Sequence, residues 1–165
     1  MHSIVLHEYI PLKKQYDNRG GLSERILKQR LEQQGWIVWK SALIGFWESA
    51  YPNVERKYAK LHELLDPETR EWLEYMNAVH HGLPDYICYR AGKWKFVECK
   101  LGHEQLNKNQ RKCIPKLKGR GFHVEVHKLV EDCTKTRAAL VQLGTREKKI
   151  LEKQMVIRVQ RGAAA

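Results

Sequence analysis

The stretch that decides the fold runs from Gly82 to Lys100 and has the sequence GLPDYICYRAGKWKFVECK. Its first part, Asp85 to Arg90, is rich in residues that favour β-strands, and the following Ala91-Gly92-Lys93 has the composition of a tight turn. Trp94 to Cys99 then predicts a return strand. Pro84 suits the lead-in to the first strand, because proline cannot donate a hydrogen bond to a sheet. The stretch therefore predicts a β-hairpin.

This hairpin places three polar side chains together. Glu98 and Lys100 lie two residues apart and project from the same side of the return strand. Asp85 begins the partner strand, which a short hairpin brings opposite the end of the second. Two carboxylates and an amine should therefore converge at one end of a sheet. Mg²⁺ prefers oxygen ligands and keeps several waters, so such a group suits it. A bound ion polarises a phosphoryl oxygen, and a nearby lysine stabilises charge that develops on phosphorus.

The two halves of this pattern, Pro84-Asp85 and Glu98-Cys99-Lys100, resemble the signature of the PD-(D/E)xK nuclease superfamily. The fuller string, which adds Gly82-Leu83 before it and Leu106 and Gln110 after it, is similar to the VRR-NUC branch of that superfamily. The similarity covers roughly residues 22–129, with the helices predicted at about 46–81 outside it. The alternative is an ordinary surface hairpin, in which the glutamate and the lysine form an exposed ion pair that contributes little to stability.

The resemblance implies a metal-dependent endonuclease that uses Mg²⁺ or Mn²⁺. It implies that Asp85 and Glu98 bind the ion, that the backbone carbonyl of Cys99 adds a ligand, and that Lys100 activates or orients the water. It also implies that the glutamine at the position of Gln110 faces the active site. The alternative for this glutamine is a solvated residue on a helix with many polar positions.

An early helix is predicted from Leu22 to about Gln34, with Gly35 as its stop signal. Glu24 lies in its first turn. The superfamily, including VRR-NUC proteins and the archaeal Holliday-junction resolvases, carries an acidic residue on such a helix, so the resemblance implies that Glu24 completes the metal site. The alternative is a carboxylate that only interacts favourably with the helix dipole.

Composition restricts the class of protein. The 165 residues are most simply one domain, and a net charge of +11 with a pI near 9.6 indicates a polyanionic partner, most plausibly nucleic acid. No apolar run approaches the roughly 20 residues that span a bilayer, and the N-terminus lacks the features of a secretory signal. The four cysteines show no CxxC spacing, which predicts reduced thiols in a cytoplasmic protein.

The most basic segment follows the predicted site. Its cations are expected to follow the DNA backbone, although a charge run is often only a solvated helix face. These residues are Lys108, Arg111, Lys112, Lys116, Lys118 and Arg120. They belong to a predicted helix that starts near Leu106 and that Pro115 should kink or shorten.

The remaining elements are predicted from periodicity and caps. Strands are expected at residues 3–10, 36–41 and 122–129, and two helices at about 54–65 and 67–81, the second with Asp66 as its N-cap and Pro67 in its first turn. Residues 132–144 are expected to form a helix, and residues 146–162 a helix or a docking tail. The domain would then comprise a core at about 22–129, a helical insertion at about 46–81 and a basic tail at about 146–165.

This order of elements, with the resemblance, predicts an α/β fold in which helices flank a central mixed β-sheet, a restriction-endonuclease-like core with an inserted helical pair. Small stand-alone proteins of this type resemble enzymes that cut four-way junctions or flaps, which favours branched or duplex DNA as the partner and a homodimer as the assembly. A sequence-specific restriction enzyme is one alternative. A basic nucleic-acid-binding protein without catalysis is another, but three acids near a phosphate would repel it unless a cation intervened.

Overall fold

The structure, a computed structural model, describes residues 3–12, 21–45, 51–102, 104–131, 136–143 and 148–157. Seven strands and four α-helices lie in these residues. The strands are β1 (Ser3–Leu12), β2 (Ile37–Lys40), β3 (Tyr86–Arg90), β4 (Lys93–Leu101), β5 (His123–Glu131), β6 (Thr136–Leu143) and β7 (Lys148–Ile157). The helices are α1 (Leu22–Gln33), α2 (Pro52–Leu64), α3 (Pro67–Tyr75) and α4 (Lys108–Gly119).

The strands form one mixed sheet in the order β2-β3-β4-β5-β1-β6-β7. Strand β5 lies at its centre and pairs in parallel with both β4 and β1, whereas the other neighbouring strands are antiparallel. The predicted α/β class with a mixed sheet and flanking helices is therefore confirmed. None of the described helices has the length and apolar character that crossing a membrane requires.

The predicted hairpin is present as β3 and β4, with Tyr86 opposite Val97 and Arg90 opposite Lys93. Its turn has positive φ at two successive residues, 49° at Ala91 and 77° at Gly92. Two positive φ angles define the turn type whose twist matches that of paired strands. The short connection fixes the register, so the two ends of the hairpin meet at one rim of the sheet.

Helices cover both faces of the sheet because side chains alternate along β4. Val97 points to one face, where it packs with Leu27 and Leu31 of α1. Phe96 points to the other face, where the core also contains Leu61 of α2 and Ile114 of α4. The catalytic candidates Glu98 and Lys100 lie on the Phe96 face, at the end of the same strand.

The inserted helical pair is formed by α2 and α3, between β2 and β3. The carboxylate of Asp66 caps α3 by accepting a hydrogen bond from the backbone N–H of Thr69 at 2.9 Å, and Pro67 occupies the first turn, as predicted. A π-helical turn, Met76–His80, continues α3 toward Gly82. The first residues of the predicted insertion, 46–50, lie outside the described residues.

Two predictions for the C-terminal third were wrong. Residues 136–143, expected to be helical, form β6, which pairs antiparallel with β1. Residues 148–157, expected to be a helix or a tail, form β7, which pairs with β6. The reason is long-range: β5 occupies only one edge of β1, and the N–H and C=O groups of its other edge need partners. The remaining residues of both predicted segments lie outside the described part.

Of the two effects predicted for Pro115, a kinked or a shortened helix, the shortening does not occur. Helix α4 runs to Gly119 with Pro115 inside it. Buried residues on both sides of the proline, including Cys113, Ile114 and Leu117, anchor this helix to the sheet. Tertiary packing therefore outweighs the lost backbone hydrogen bond, which costs about 3 kcal/mol in an exposed helix.

Candidate active site

The site is built on a reciprocal link between the two ends of the hairpin. The backbone N–H of Asp85 donates to Oε2 of Glu98 at 3.1 Å. In return, the backbone N–H of Cys99 donates to Oδ2 of Asp85 at 2.8 Å. Each carboxylate is thus held by the backbone of the opposite strand. The convergence predicted from strand alternation is present at this rim of the sheet.

Two further side chains contact Glu98. Nζ of Lys100 lies 2.8 Å from Oε1 of Glu98, and Nε2 of Gln110 donates to the same oxygen at 2.6 Å. Glu98 is only 2% exposed. The pair between Glu98 and Lys100 is therefore not the exposed surface ion pair of the alternative interpretation, and Gln110 is not a solvated helix residue.

Gln110 reaches Glu98 because it also caps its own helix. Its backbone N–H donates to Oδ1 of Asn107 at 2.9 Å, while its Oε1 accepts from the backbone N–H of Asn107 at 3.0 Å. This reciprocal capping box leaves the amide nitrogen of Gln110 as the donor to Glu98. The start of α4 is therefore fixed against the end of β4.

Burial and like charge shift the acid equilibria here. Desolvation, and then the charge of Asp85, raise the pKa of Glu98 from 4.5 to about 7, although Lys100 and Gln110 oppose the shift. Burial likewise raises the pKa of Asp85. The hydrogen bond from the backbone N–H of Cys99 lowers this pKa, whereas the charges of Glu24 and Glu104 raise it further. The site therefore concentrates more negative charge than one lysine balances.

This shift predicts how the stability of the metal-free protein depends on pH. Because the folded-state pKa of Glu98 lies above its unfolded value, the folded protein holds a proton that the unfolded chain releases. The resulting stabilisation is complete below about pH 4.5 and is lost as the pH rises through about 7. We expect the difference in melting temperature between wild type and Glu98→Gln to change across this window, measured by calorimetry in chelator. An identical pH profile for the two proteins would contradict the shift.

Glu24 is held beside the two carboxylates by α1. The hydroxyl of Tyr86 donates to the backbone carbonyl of Glu24 at 2.9 Å, which ties the first turn of this helix to the start of β3. The half-buried carboxylate of Glu24 is close enough for its charge to raise the pKa of Asp85. The structure thus brings Glu24 to the same rim as Asp85 and Glu98.

The side chain of Cys99 lies on the opposite face of β4, packed with the core around α1. Burial raises the pKa of its thiol to about 12, and the thiol hydrogen-bonds with Ser23. The thiol therefore points into the core, away from Glu98. Only the backbone of Cys99 faces the site. Cys88, Cys99 and Cys113 are free, as predicted, and Cys133 lies outside the described residues.

The backbone makes a tight contact at Gly82, three residues before Asp85, where φ is 83°. A Cβ at this position would lie 2.5 Å from the carbonyl carbon of Asn109 and 2.8 Å from the backbone nitrogen of Gln110. The preceding residue, His81, has φ 56° and ψ −178°, a conformation found almost only in glycine. The backbone before Asp85 is therefore pressed against the start of α4.

Three of the predicted DNA-contacting cations form a stripe along α4. Lys108, Lys112 and Lys116 are spaced four residues apart and are exposed, so they share one face of the helix. Arg111 and Lys118 lie beside that face. Nε of Arg111 donates to the carbonyl of Leu106 at 3.1 Å, and partial burial lowers the pKa of Lys118.

Arg120 is separated from this stripe, beyond the end of α4. Its Cζ lies 4.7 Å from the centroid of the Trp72 ring, and its NH1 lies 3.7 Å from Oε1 of Glu68, both on α3. The predicted basic segment is thus divided between an exposed helix face near the carboxylates and an arginine at the opposite rim of the sheet.

Sequence reasoning missed two residues at this site, Tyr86 and Glu104. Tyr86 was counted only as a strand residue, yet its hydroxyl positions α1. Oε2 of Glu104 accepts from the backbone N–H of Leu101 at 3.2 Å, and its charge acts on Asp85. The available signal was the closeness of Glu104 to Lys100 in the chain.

The donor set fits a divalent cation of the magnesium type better than zinc. Within the described ranges, no three His, Cys, Asp or Glu side chains form a group that could hold a metal alone. Burial nevertheless raises the pKa of both Asp85 and Glu98, and the charge of Asp85 adds to the shift at Glu98, so a cation would stabilise their ionised forms. One or two carboxylates with waters are the usual protein share of a Mg²⁺ site.

Comparison of the sequence with models of protein families gives a match over most of the chain. The model of the VRR-NUC domain matches residues 19–130, which are 112 of the 165 residues. The matched region contains α1, the hairpin, α4 and most of β5. The comparison with curated proteins gave no match.

Proposed function

The chain belongs to the VRR-NUC family, whose domain is a nuclease of the PD-(D/E)xK type, and from this premise we propose that it is a metal-dependent endonuclease that hydrolyses DNA phosphodiester bonds. One observation carries the proposal. The half-buried Asp85 and the buried Glu98 lie side by side, each held by the backbone of the other's strand, and the amine of Lys100 is 2.8 Å from Oε1 of Glu98. A protein that only bound DNA would have no use for buried acids at the phosphate.

We assign the metal to the carboxylates of Asp85 and Glu98 and to the backbone carbonyl of Cys99, with Glu24 completing the site. The chemistry that Mg²⁺ or Mn²⁺ supplies in such a site is polarisation of a phosphoryl oxygen and a lower pKa for bound water. The raised pKa values of both carboxylates support this assignment, because burial and neighbouring negative charge disfavour their ionised forms and a bound cation would favour them.

Lys100 and Gln110 have different roles in this proposal. The ammonium of Lys100 orients the attacking water and stabilises the negative charge that develops on the phosphate. Gln110 acts through Glu98: its amide fixes the carboxylate in one rotamer, while its backbone and Oε1 hold the start of α4. Gln110 is therefore a positioning residue.

Glu24→Gln tests whether Glu24 completes the metal site. We expect a fall in cleavage rate of at least about tenfold, the lower end of the effect of disturbing metal-site partners. The melting temperature should change little, since a helix-dipole contact contributes only about 0.3–1 kcal/mol. Glu55→Gln is the matched control, because Glu55 lies in the first turn of α2. Equal cleavage rates for the two variants would reduce Glu24 to a helix-dipole residue.

We propose that the preferred substrates are branched DNAs, four-way junctions or, failing those, flaps. The exposed lysines of α4 contact phosphates, and phosphate contacts carry no sequence information. Selectivity must then come from shape, because a branch presents phosphates at angles that a linear helix does not. Two protomers related by a two-fold axis would match the near two-fold symmetry of a four-way junction. Tyr75 and Val79, 52% and 56% exposed, offer apolar area for pairing on the inserted helices.

Competition cleavage tests the substrate, and light scattering tests the assembly. We expect a homodimer that cuts a four-way junction or a flap faster than a linear duplex of the same sequence. Added salt should weaken binding to all of these DNAs while the preference persists. A monomer that cuts linear duplex at one short sequence would instead establish a restriction-type enzyme.

The domain division also stays a prediction. We propose a single domain over residues 1–165, with a nuclease core at about 22–129 and the helical pair as an insertion at about 46–81. The basic segment at about 146–165, predicted as a tail, includes β7, which adds an outer strand to the sheet.

A further inference from the structure

A groove lies at the rim of the sheet opposite the carboxylates. Its volume is about 590 Å³, which is within the usual range for ligand sites. It is bounded by the β3–β4 turn, the α4–β5 turn and the junction of α2 with α3. Its lining includes Trp36, Trp94, Lys93, Lys95, Arg120 and His123. We call it the rim groove.

Cations cover two tryptophan rings, Trp36 in the lining of this groove and Trp72 outside it. Nζ of Lys95 lies 4.3 Å from the centroid of the Trp36 ring, and Cζ of Arg90 lies 4.4 Å from the same centroid. Arg120 packs on Trp72 in the same way, at 4.7 Å. Energetically significant cation–π pairs occur roughly once per 70–80 residues, so three at one rim are more than this part of the chain would usually contain.

The two acidic groups of the groove differ in their surroundings. Glu125 is buried and accepts from Nζ of Lys95 at 2.8 Å, with Nε2 of His123 at 3.4 Å from its other oxygen, whereas Asp66 is exposed and accepts from the backbone of Thr69 at 2.9 Å. The exposed side chain of Lys93 adds positive charge at the mouth. Because Lys95 and Arg90 already cover the ring of Trp36, the lining tryptophan left for a ligand is Trp94, with Lys93 beside it in the chain.

Strand β4 and helix α4 both run between the rim groove and the carboxylates. Lys95 and Glu98 are three residues apart on β4, or about 10 Å. Gln110 and Arg120 are ten residues apart along α4, or about 15 Å. At about 3.4 Å for each stacked nucleotide, as along one strand of a duplex, this separation corresponds to three or four steps, and an extended unpaired strand spans it in fewer.

We propose that the rim groove binds an unpaired stretch of a nucleic acid strand, with a base against Trp94 and phosphates at Lys93 and Arg120. Aromatic platforms within a basic groove are the usual means of holding single strands without sequence preference. Paired bases are already stacked and offer no free face, so the groove discriminates against duplex. This inference rests on the proposed function and names a feature of the substrate: a single-stranded arm near the cut.

The test measures binding of labelled oligothymidylate to the full-length protein in chelator, by fluorescence anisotropy and tryptophan emission. We expect quenching of the tryptophans, and affinity about tenfold higher than for an abasic strand of equal length, as one stacked base would give. Lys93→Glu should lower the slope of log affinity against log salt by about 0.7, the value for one phosphate on a single strand. Arg56→Glu, an exposed cation on α2 two helical turns from Leu64, is the charge-matched control.

Equal affinity for thymidylate and abasic strands, or equal effects of Lys93→Glu and Arg56→Glu, would overturn the proposal and leave only general attraction to phosphates. These measurements do not depend on cleavage. If the wild type bound as expected but cut no DNA in Mg²⁺ or Mn²⁺, the proposed endonuclease activity would be wrong, whereas the proposed binding of a single strand at the rim groove would be supported.

Discussion

Glu98→Gln is expected to abolish cleavage, and the metal-free variant should gain stability relative to the wild type as the pH rises through about 7. The variant removes a charge whose burial is unfavourable, as the raised pKa of Glu98 shows, and replaces it with a neutral group of the same size. It also removes a metal ligand.

Asp85→Ala should likewise remove cleavage, and Lys100→Ala should lower the rate by about 10²–10³-fold. DNA binding should persist in all three, measured in chelator by anisotropy.

Glu125→Gln is the matched control for stability. Glu125 is also a buried glutamate, on the neighbouring strand, but hydrogen bonds from His123, His127 and Lys95 outweigh its burial and lower its pKa. Its replacement should therefore destabilise the protein, with no gain relative to the wild type as the pH rises through about 7. Full cleavage by Glu98→Gln would rule out the assigned site.

Gly82→Ala is expected to have the second-largest effect, through packing alone. Its methyl group would lie 2.5–2.8 Å from backbone atoms of Asn109 and Gln110, so α4 or the segment before Asp85 must shift. We expect a loss of about 1–3 kcal/mol in the free energy of unfolding from overpacking, added to about 1–2 kcal/mol for the left-handed conformation. A 1 Å displacement of Gln110 and Glu98 should lower the cleavage rate by about a hundredfold.

Gly35→Ala separates these contributions. Gly35 has nearly the same φ, 87°, but a methyl group there would meet only the side chain of Arg90, at 3.5 Å. This variant should lose only the conformational contribution and keep its cleavage rate. If both variants lost the same free energy of unfolding in urea and the same cleavage rate, the close approach of Gly82 to α4 would contribute nothing to stability or activity.

The hairpin and its three polar residues could be predicted because their information is local. A two-residue turn and strand alternation are enough to bring Asp85, Glu98 and Lys100 together. Gln110 could be placed only by resemblance, although Asn107 and Gln110 carry a capping-box pattern that explains its position.

The C-terminal strands could not be predicted in the same way. Strands β6 and β7 exist because β1 offers a free edge more than 120 residues earlier in the chain, and no local pattern records that pairing. The contact of Gly82 with α4 is also long-range. A glycine before Pro84 suggests a turn, but the backbone atoms that exclude a side chain belong to Asn109 and Gln110.

The most direct test of the central claim is incubation of the wild-type protein with closed circular DNA, in Mg²⁺ or Mn²⁺ and separately in chelator. A closed circle has no ends, so only an endonuclease can convert it to nicked or linear form. A cruciform-bearing circle and a relaxed circle should be compared in the same assay. We predict conversion in the presence of the metal, faster for the cruciform, and none in chelator. Circles that stay intact with both metals, or that are cut equally well in chelator, would contradict a metal-dependent endonuclease at Asp85 and Glu98.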